Sequence, residues 1–310
     1  MGKANEKALE FINVLVNNDM VGELENHDDQ GVKVSAHTYD VLKVSIDEIR
    51  RDYSDFDEAK RFIDFFAIIV GVIIHDLSKG SIRKTSETMS HSQMMLKKPD
   101  YIIKEADSLL TEVENQTGVK IKENIRKNIT HIVVSHHGRW GKIAPNTREA
   151  HIVHRADMYS AKYHRINPIG ANEILEALCM GENLVEVSKR FMCTTGVIKD
   201  RLKRAKMELR LKNTKHLINY YKKTRKVPIG DNFFTKRVKE TAKLIAAVDK
   251  KGFKKLILTN QLLDYLVDSE IFEPAGEENE RKNWCSFSAE RFFWRYWKSK
   301  KSCYGRNSYC

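Results

Sequence analysis

Between Phe62 and Ile74 every position but Asp64 is apolar or glycine. A helix that is apolar all round has no face to give to solvent and belongs at the centre of a core. The uninterrupted run Phe65–Ile74 is about half of the roughly 20 residues a membrane-spanning helix needs. The segment therefore predicts the central helix of a folded, water-soluble domain. It ends in His75-Asp76-Leu77-Ser78-Lys79-Gly80. A helix this apolar has no structural use for three ionisable groups at its end. Lys79 follows His75 by four residues and Asp76 by three, so all three are expected on one side of the last turn, with Gly80 closing the helix in a left-handed cap.

The rest of the pattern is helical. The five prolines, Pro99, Pro145, Pro168, Pro228 and Pro274, fall where apolar periodicities stop and act as punctuation between helices. Spacing of apolar residues predicts helices near 4–18, 35–52, 59–79, 101–115, 121–136 and 147–165, and in the second half near 171–180, 184–191, 195–212, 213–224, 232–249 and 256–270. Residues 254–258 read equally well as a short strand. The fold class is all-α: a helical bundle over 1–166, a break at Asn167-Pro168-Ile169-Gly170, a basic, mostly helical unit over 167–275, and a basic aromatic tail over 276–310.

Ten of the 11 histidines precede residue 166. Among them His37, His75, His91, His136 and His137, with Asp76 and Asp157, form an ordered series of metal ligands. Imidazole and carboxylate together suit borderline divalent ions, and a shared aspartate can hold two of them close together. His37 starts an amphipathic helix, His75-Asp76 and His136-His137 end helices, and Asp157 lies within one. Separate helices of a bundle can aim such groups at one point. His154, three residues before Asp157, reads as a core or supporting histidine rather than a ligand. The 5 cysteines include no C-x-x-C pair, so neither a disulfide framework nor a thiolate zinc site is indicated.

The order His, His-Asp, His, His-His, Asp, with Lys79 three residues after Asp76, resembles the HD-domain metal-dependent phosphohydrolases. The stretches Ile73–Lys79, Ser90–Ser92, Ser135–Gly138, Pro145–Ala150 and Ile152–Lys162 are most similar to the bacterial HD-domain 3′→5′ exoribonucleases. The resemblance spans roughly residues 33–165. It implies that His37, His75, Asp76 and Asp157 bind one divalent metal, that Asp76 bridges to a second held by His91 and by one or both of His136 and His137, and that Lys79 contacts the scissile phosphate. Two such ions make hydroxide available near neutral pH and neutralise charge on phosphoryl oxygens. The donor set does not distinguish manganese, iron, cobalt, nickel and zinc. Those exoribonucleases carry a nucleic-acid-binding barrel ahead of the catalytic domain, whereas here 36 residues precede His37.

Charge is unevenly placed. The chain carries +12 overall, with residues 1–165 at −1 and residues 166–310 at +13 by count of the sequence. A basic module beside a metal site suits attraction of nucleic acid. Residues 171–211 resemble a helix-turn-helix of the kind ending bacterial sigma factors. Gly181 would open the motif, and the helix from Thr195 would present Lys199, Arg201, Lys203, Arg204 and Lys206 to a groove. After the histidine doublet, Arg139, Trp140 and Lys142 could clamp phosphate and stack a base. The tail from Trp284 interleaves aromatics with cations. The expectation is a cytoplasmic nuclease; the alternatives are a hydrolase of small or cyclic nucleotides, and a DNA-binding regulator whose metal-binding fold is not catalytic.

Overall fold

The computed structural model describes residues 6–29, 32–80, 89, 91–164, 169–191, 193–227, 232–267 and 271–274. The tail 276–310, with Cys285, Cys303 and Cys310, and the expected break at Asn167-Pro168 lie outside the described residues. Those residues are helical almost throughout. Their only strands are β1 (Asp28–Asp29) and β2 (Val32–Lys33), an antiparallel pair with Asp28 opposite Lys33 and Asp29 opposite Val32. None of the helices is long and apolar enough to cross a membrane.

The first core is built around α5 (Phe65–Ile74), whose ten residues are all buried. Asp64 starts it by accepting a hydrogen bond from the Ala67 amide at 3.0 Å, which satisfies one of the amides a helix start leaves without a partner. Around α5 pack α1 (Glu6–Asn17), α3 (Val34–Asp52), α8 (Glu123–Ser135) and α9 (Arg148–Tyr163). Each is amphipathic; α1, for example, buries Ala8, Phe11, Ile12, Leu15 and Val16 on one stripe. Approach between α5 and α8 is close at Gly71, where a Cβ would lie 2.8 Å from Ile132 Cγ2. A longer α7 (Pro99–Thr117), with proline in its first turn and Gly118 left-handed after its end, packs against α1 and α8. Single-turn α2 (Asp19–Gly22) and α4 (Phe56–Ala59) bridge longer helices.

A second core gathers Ile174, Leu175, Val187, Ile198, Leu202, Leu217 and Tyr221. These come from α10 (Ala171–Cys179), α11 (Leu184–Arg190), α12 (Thr195–Glu208) and α13 (Thr214–Thr224). Gly181, at φ +96°, makes the turn before α11, and Asn183 with Glu186 forms a reciprocal capping box at its start.

Several expectations need correction. The helix expected over 59–79 is interrupted: α4 ends at Ala59, Asp64 restarts the chain as α5, and α5 stops at Ile74 before a 3₁₀ turn at Leu77–Lys79. Gly80 is not left-handed; at φ −88°, ψ −72° it closes that turn through its amide to Leu77 O. Residues 91–97, which gave no periodic signal, form the helix α6. The ambiguous segment is helical, α15 (Phe253–Leu258), followed by a 3₁₀ turn at Gln261–Tyr265 in place of the helix expected over 256–270. Residues 167–275 are also not one body. Val248 in α14 (Asn232–Lys251) and, after that helix, Phe253, Ile257, Leu262, Ile271 and Phe272 pack into the first core, and Phe272 touches the rings of Phe11 and Phe66.

Candidate metal centre

Four helix ends and one helix interior supply the cluster. His75 and His136 are each the first residue past a helix, α5 and α8 respectively. Each turns its Nδ1 back onto the carbonyl three residues earlier, His75 to Val72 O and His136 to Val133 O, both at 2.6 Å. Carbonyls left open at a helix end are thereby satisfied. Because a carbonyl only accepts, each ring carries a proton on Nδ1 and turns its Nε2 inward. His91, at the start of α6, has its Nδ1 on Ser78 Oγ. His37, in the first turn of α3, has Nδ1 3.0 Å from Ser160 Oγ and Nε2 2.9 Å from Asp157 Oδ1. Asp157 and Ser160 are one turn apart on α9.

Asp76 stands at the middle, fully buried, and its two oxygens divide the histidines. Oδ2 faces His75 Nε2 at 3.4 Å and His37 Nε2 at 3.7 Å. Oδ1 faces His91 Nε2 at 3.3 Å and His136 Nε2 at 3.8 Å. These separations are longer than ordinary hydrogen bonds. With metal–ligand bonds of about 2.0–2.2 Å, neighbouring ligands of one ion stand roughly 3 to 3.5 Å apart, which is close to what is seen. Three sets of ligand atoms lie within 4.8 Å of one another: His37, His75 and Asp157; His75, Asp76 and His136; His91, His136 and His137. The buried Nε2 atoms of His75, His91 and His136 have no hydrogen-bond partner among the described residues. A buried nitrogen lone pair without a donor is costly, and three converging on one carboxylate fit a cationic group.

The electrostatics agree with that donor set. Burial, with neighbouring histidines adding to it, pushes His136 well below the ordinary imidazole value; burial outweighs the nearby carboxylates to push His91 well below that value and to lower His137, with Lys79 adding to both. These rings are neutral and able to ligate at neutral pH. Burial also opposes charge on His75, but Asp76 and Asp157 outweigh it and raise that ring. Burial would raise Asp76; Lys79, His75 and His91 overcome it and hold the carboxyl well below its usual range. Asp157 is likewise held down, chiefly by His37 against the effect of burial.

All seven ligands expected from sequence are thus brought together. Lys79 joins them, 8% exposed, with Nζ 2.6 Å from Asp76 Oδ2. Arg139 and Trp140 lie on a 3₁₀ turn directly after the doublet. The guanidinium stands 4.2 Å from the indole, Trp140 is 49% exposed, and the Lys142 amide ties this loop to Met95 O on α6. The α12 cations belong to the second core. Lys199 and Lys203 are exposed and Arg204 and Lys206 half-buried. Arg201 is 2% exposed, with Nη1 on Asp200; a groove contact by it is not compatible with that burial.

The supporting side chains gave weaker signals. Ser160 was findable as the residue one turn beyond Asp157, and Ser78 as the neighbour of Asp76 and Leu77. His154 holds the doublet from outside, its Nδ1 2.6 Å from His136 O. Asp29, on β1, pairs with Lys79 at 3.2 Å, a contact across fifty residues that no local pattern announces. In comparisons with protein-family models, curated proteins and solved structures, nothing matches the chain.

Proposed function

We propose that the chain is an HD-type, metal-dependent phosphodiesterase that hydrolyses nucleic-acid phosphodiester bonds. The observation that carries this reading is the division of four imidazoles between the two oxygens of buried Asp76. His37, His75, Asp76 and Asp157 would hold one divalent ion, and His91, His136 and His137, with Asp76 shared, a second. Bound there, such ions supply Lewis acidity toward a phosphoryl oxygen and bring water ionisation near neutral pH.

The chain's own residues do the rest. Backbone carbonyls fix the rings of His75 and His136, and serine hydroxyls those of His37 and His91, so that these need no reorientation when charge develops. Ser160 Oγ can accept from or donate to His37 Nδ1, so either tautomer of that ring is supported. The Lys79 ammonium stands at the edge of the centre, where it would contact a phosphoryl oxygen of the substrate. Exposed Trp140 beside Arg139 offers a stacking surface next to the ligand doublet. Polymer binding is supported by α12, which presents Lys199, Lys203, Arg204 and Lys206 beside a turn and a packed α11 in the order of a helix-turn-helix.

The test is cleavage of end-labelled RNA and DNA by chelator-treated protein reloaded with single divalent metals. Metal-dependent shortening that disappears in Asp76→Ala is expected. Retained activity in Asp76→Ala would sink the mechanism. Turnover of short nucleotides, with no binding or inhibition by polymers, would assign the small-nucleotide class instead.

A further inference from the structure

Lys79 is held by two carboxylates from different parts of the chain. Its Nζ lies 2.6 Å from Asp76 Oδ2 and 3.2 Å from Asp29 Oδ2, and the residue is 8% exposed. A buried ammonium requires counter-charge. Asp76, however, also faces four imidazole nitrogens, and under the function proposed above its charge is engaged with cations. Two divalent ions would repel an ammonium so close to them. Asp29 supplies the compensating charge from outside the ligand cluster. It is well placed to do so: β1 pairs with β2 through Asp29 and Val32, Val32 is buried, the Val34 amide donates to His27 O at 2.8 Å, and α3 with His37 follows directly. The strand that carries Asp29 is therefore fixed to the helix that carries a ligand.

We infer that Asp29 is a positioning residue for Lys79. It retains the ammonium at the edge of the centre in the presence of cations and leaves one of its three N–H groups for a phosphoryl oxygen. This inference rests on the proposed reading of the centre, but the Asp29–Lys79 contact is testable apart from catalysis.

The experiment uses the metal-loaded full chain and four variants: Asp29→Asn, Asp29→Glu, Lys79→Ala and the Asp29→Asn/Lys79→Ala double. Three quantities are read: kcat and KM on a small chromogenic phosphodiester, cation affinity by chelator competition, and the rate at which an amine-acylating reagent labels Lys79, followed by mass spectrometry. Asp29→Asn is expected to lower kcat about tenfold, as loss of a supporting group at a metal site does. Cation affinity should change less than about threefold, because Asp29 is not a ligand. Lys79 should be labelled faster, and Asp29→Glu should recover part of both effects. In the Lys79→Ala background Asp29→Asn should have no further effect on kcat. Equal rate losses in both backgrounds, or unchanged Lys79 labelling in Asp29→Asn, would overturn the inference. If the wild type cleaves no phosphate ester, the functional reading fails, and the labelling rates alone then decide whether Asp29 holds Lys79.

Discussion

Gly138 separates the histidine doublet from the Arg139-Trp140 turn at φ +54°, and Gly138→Ala perturbs the centre in two ways that can be added. A left-handed alanine costs roughly 1–2 kcal/mol in backbone strain. Its Cβ would also lie 2.4 Å from His154 Cε1 and 2.7 Å from Nε2. That ring cannot recoil freely, because its Nδ1 is bonded to His136 O at 2.6 Å. Displacing it forfeits a hydrogen bond worth about 1 kcal/mol. We expect Gly138→Ala to destabilise the metal-free protein by about 2–3 kcal/mol, read as a shift in urea midpoint at unchanged slope. The double variant Gly138→Ala/His154→Ala removes the overlap and leaves the backbone strain. It should therefore be at least about 1 kcal/mol more stable than the sum of the single changes predicts. A Gly138→Ala protein within about 0.5 kcal/mol of wild type, or strictly additive single and double variants, would refute the packing described around the doublet.

Ser78→Ala and Ser160→Ala remove the hydroxyls that hold His91 and His37, and each should weaken divalent-metal affinity by about 10–100-fold in chelator competition while leaving the thermal midpoint of the metal-free protein within a few degrees. Stability of the chelated protein should fall as pH drops from 7 to 5. His91, His136 and His137 are depressed by burial, so their contribution is complete above the unfolded imidazole value of about 6.5 and is lost below it. His75, raised by its carboxylates, acts with the opposite sign but is one ring against three; thermal melts that stay level or improve toward pH 5 would contradict the scheme. Neutralising Lys199, Lys203 and Lys206 together should reduce the salt slope of nucleic-acid binding by about 2–3, near 0.9 per lost phosphate contact, measured by titration at several salt concentrations. Arg201→Ala should instead cost stability, since that side chain is buried.

The parts that sequence made legible are those governed by local chemistry. The clustering of the histidine and aspartate series could be anticipated because such groups on otherwise apolar helix ends have few structural uses, and amphipathic spacing located α1, α3, α8 and α9. Uniformly apolar Phe65–Ile74 announced a central helix but not its ends, since periodicity vanishes when every face is buried; Asp64 as a cap and the 3₁₀ turn at Leu77–Lys79 set them. Short α6 carries only two buried methionines, too few to show a period. The return of Phe253 to Phe272 to the first core is tertiary pairing, invisible to any local window. Asp29 illustrates the same limit within the site: its partner Lys79 is remote in sequence, and the hairpin that carries Asp29 has only two residues per strand.

The central claim, that the buried histidine and aspartate side chains form one centre shared through Asp76, is tested most directly by counting bound metal. Chelated protein is reloaded with manganese, iron, cobalt, nickel or zinc, desalted and analysed by plasma mass spectrometry. Wild type should retain about two ions per chain with at least one of these metals, His91→Ala about one, and Asp76→Ala none tightly, because loss of the shared carboxylate breaks both sites. A wild-type chain that retains no ion under any loading, or an Asp76→Ala chain that retains as many as wild type, would contradict the account.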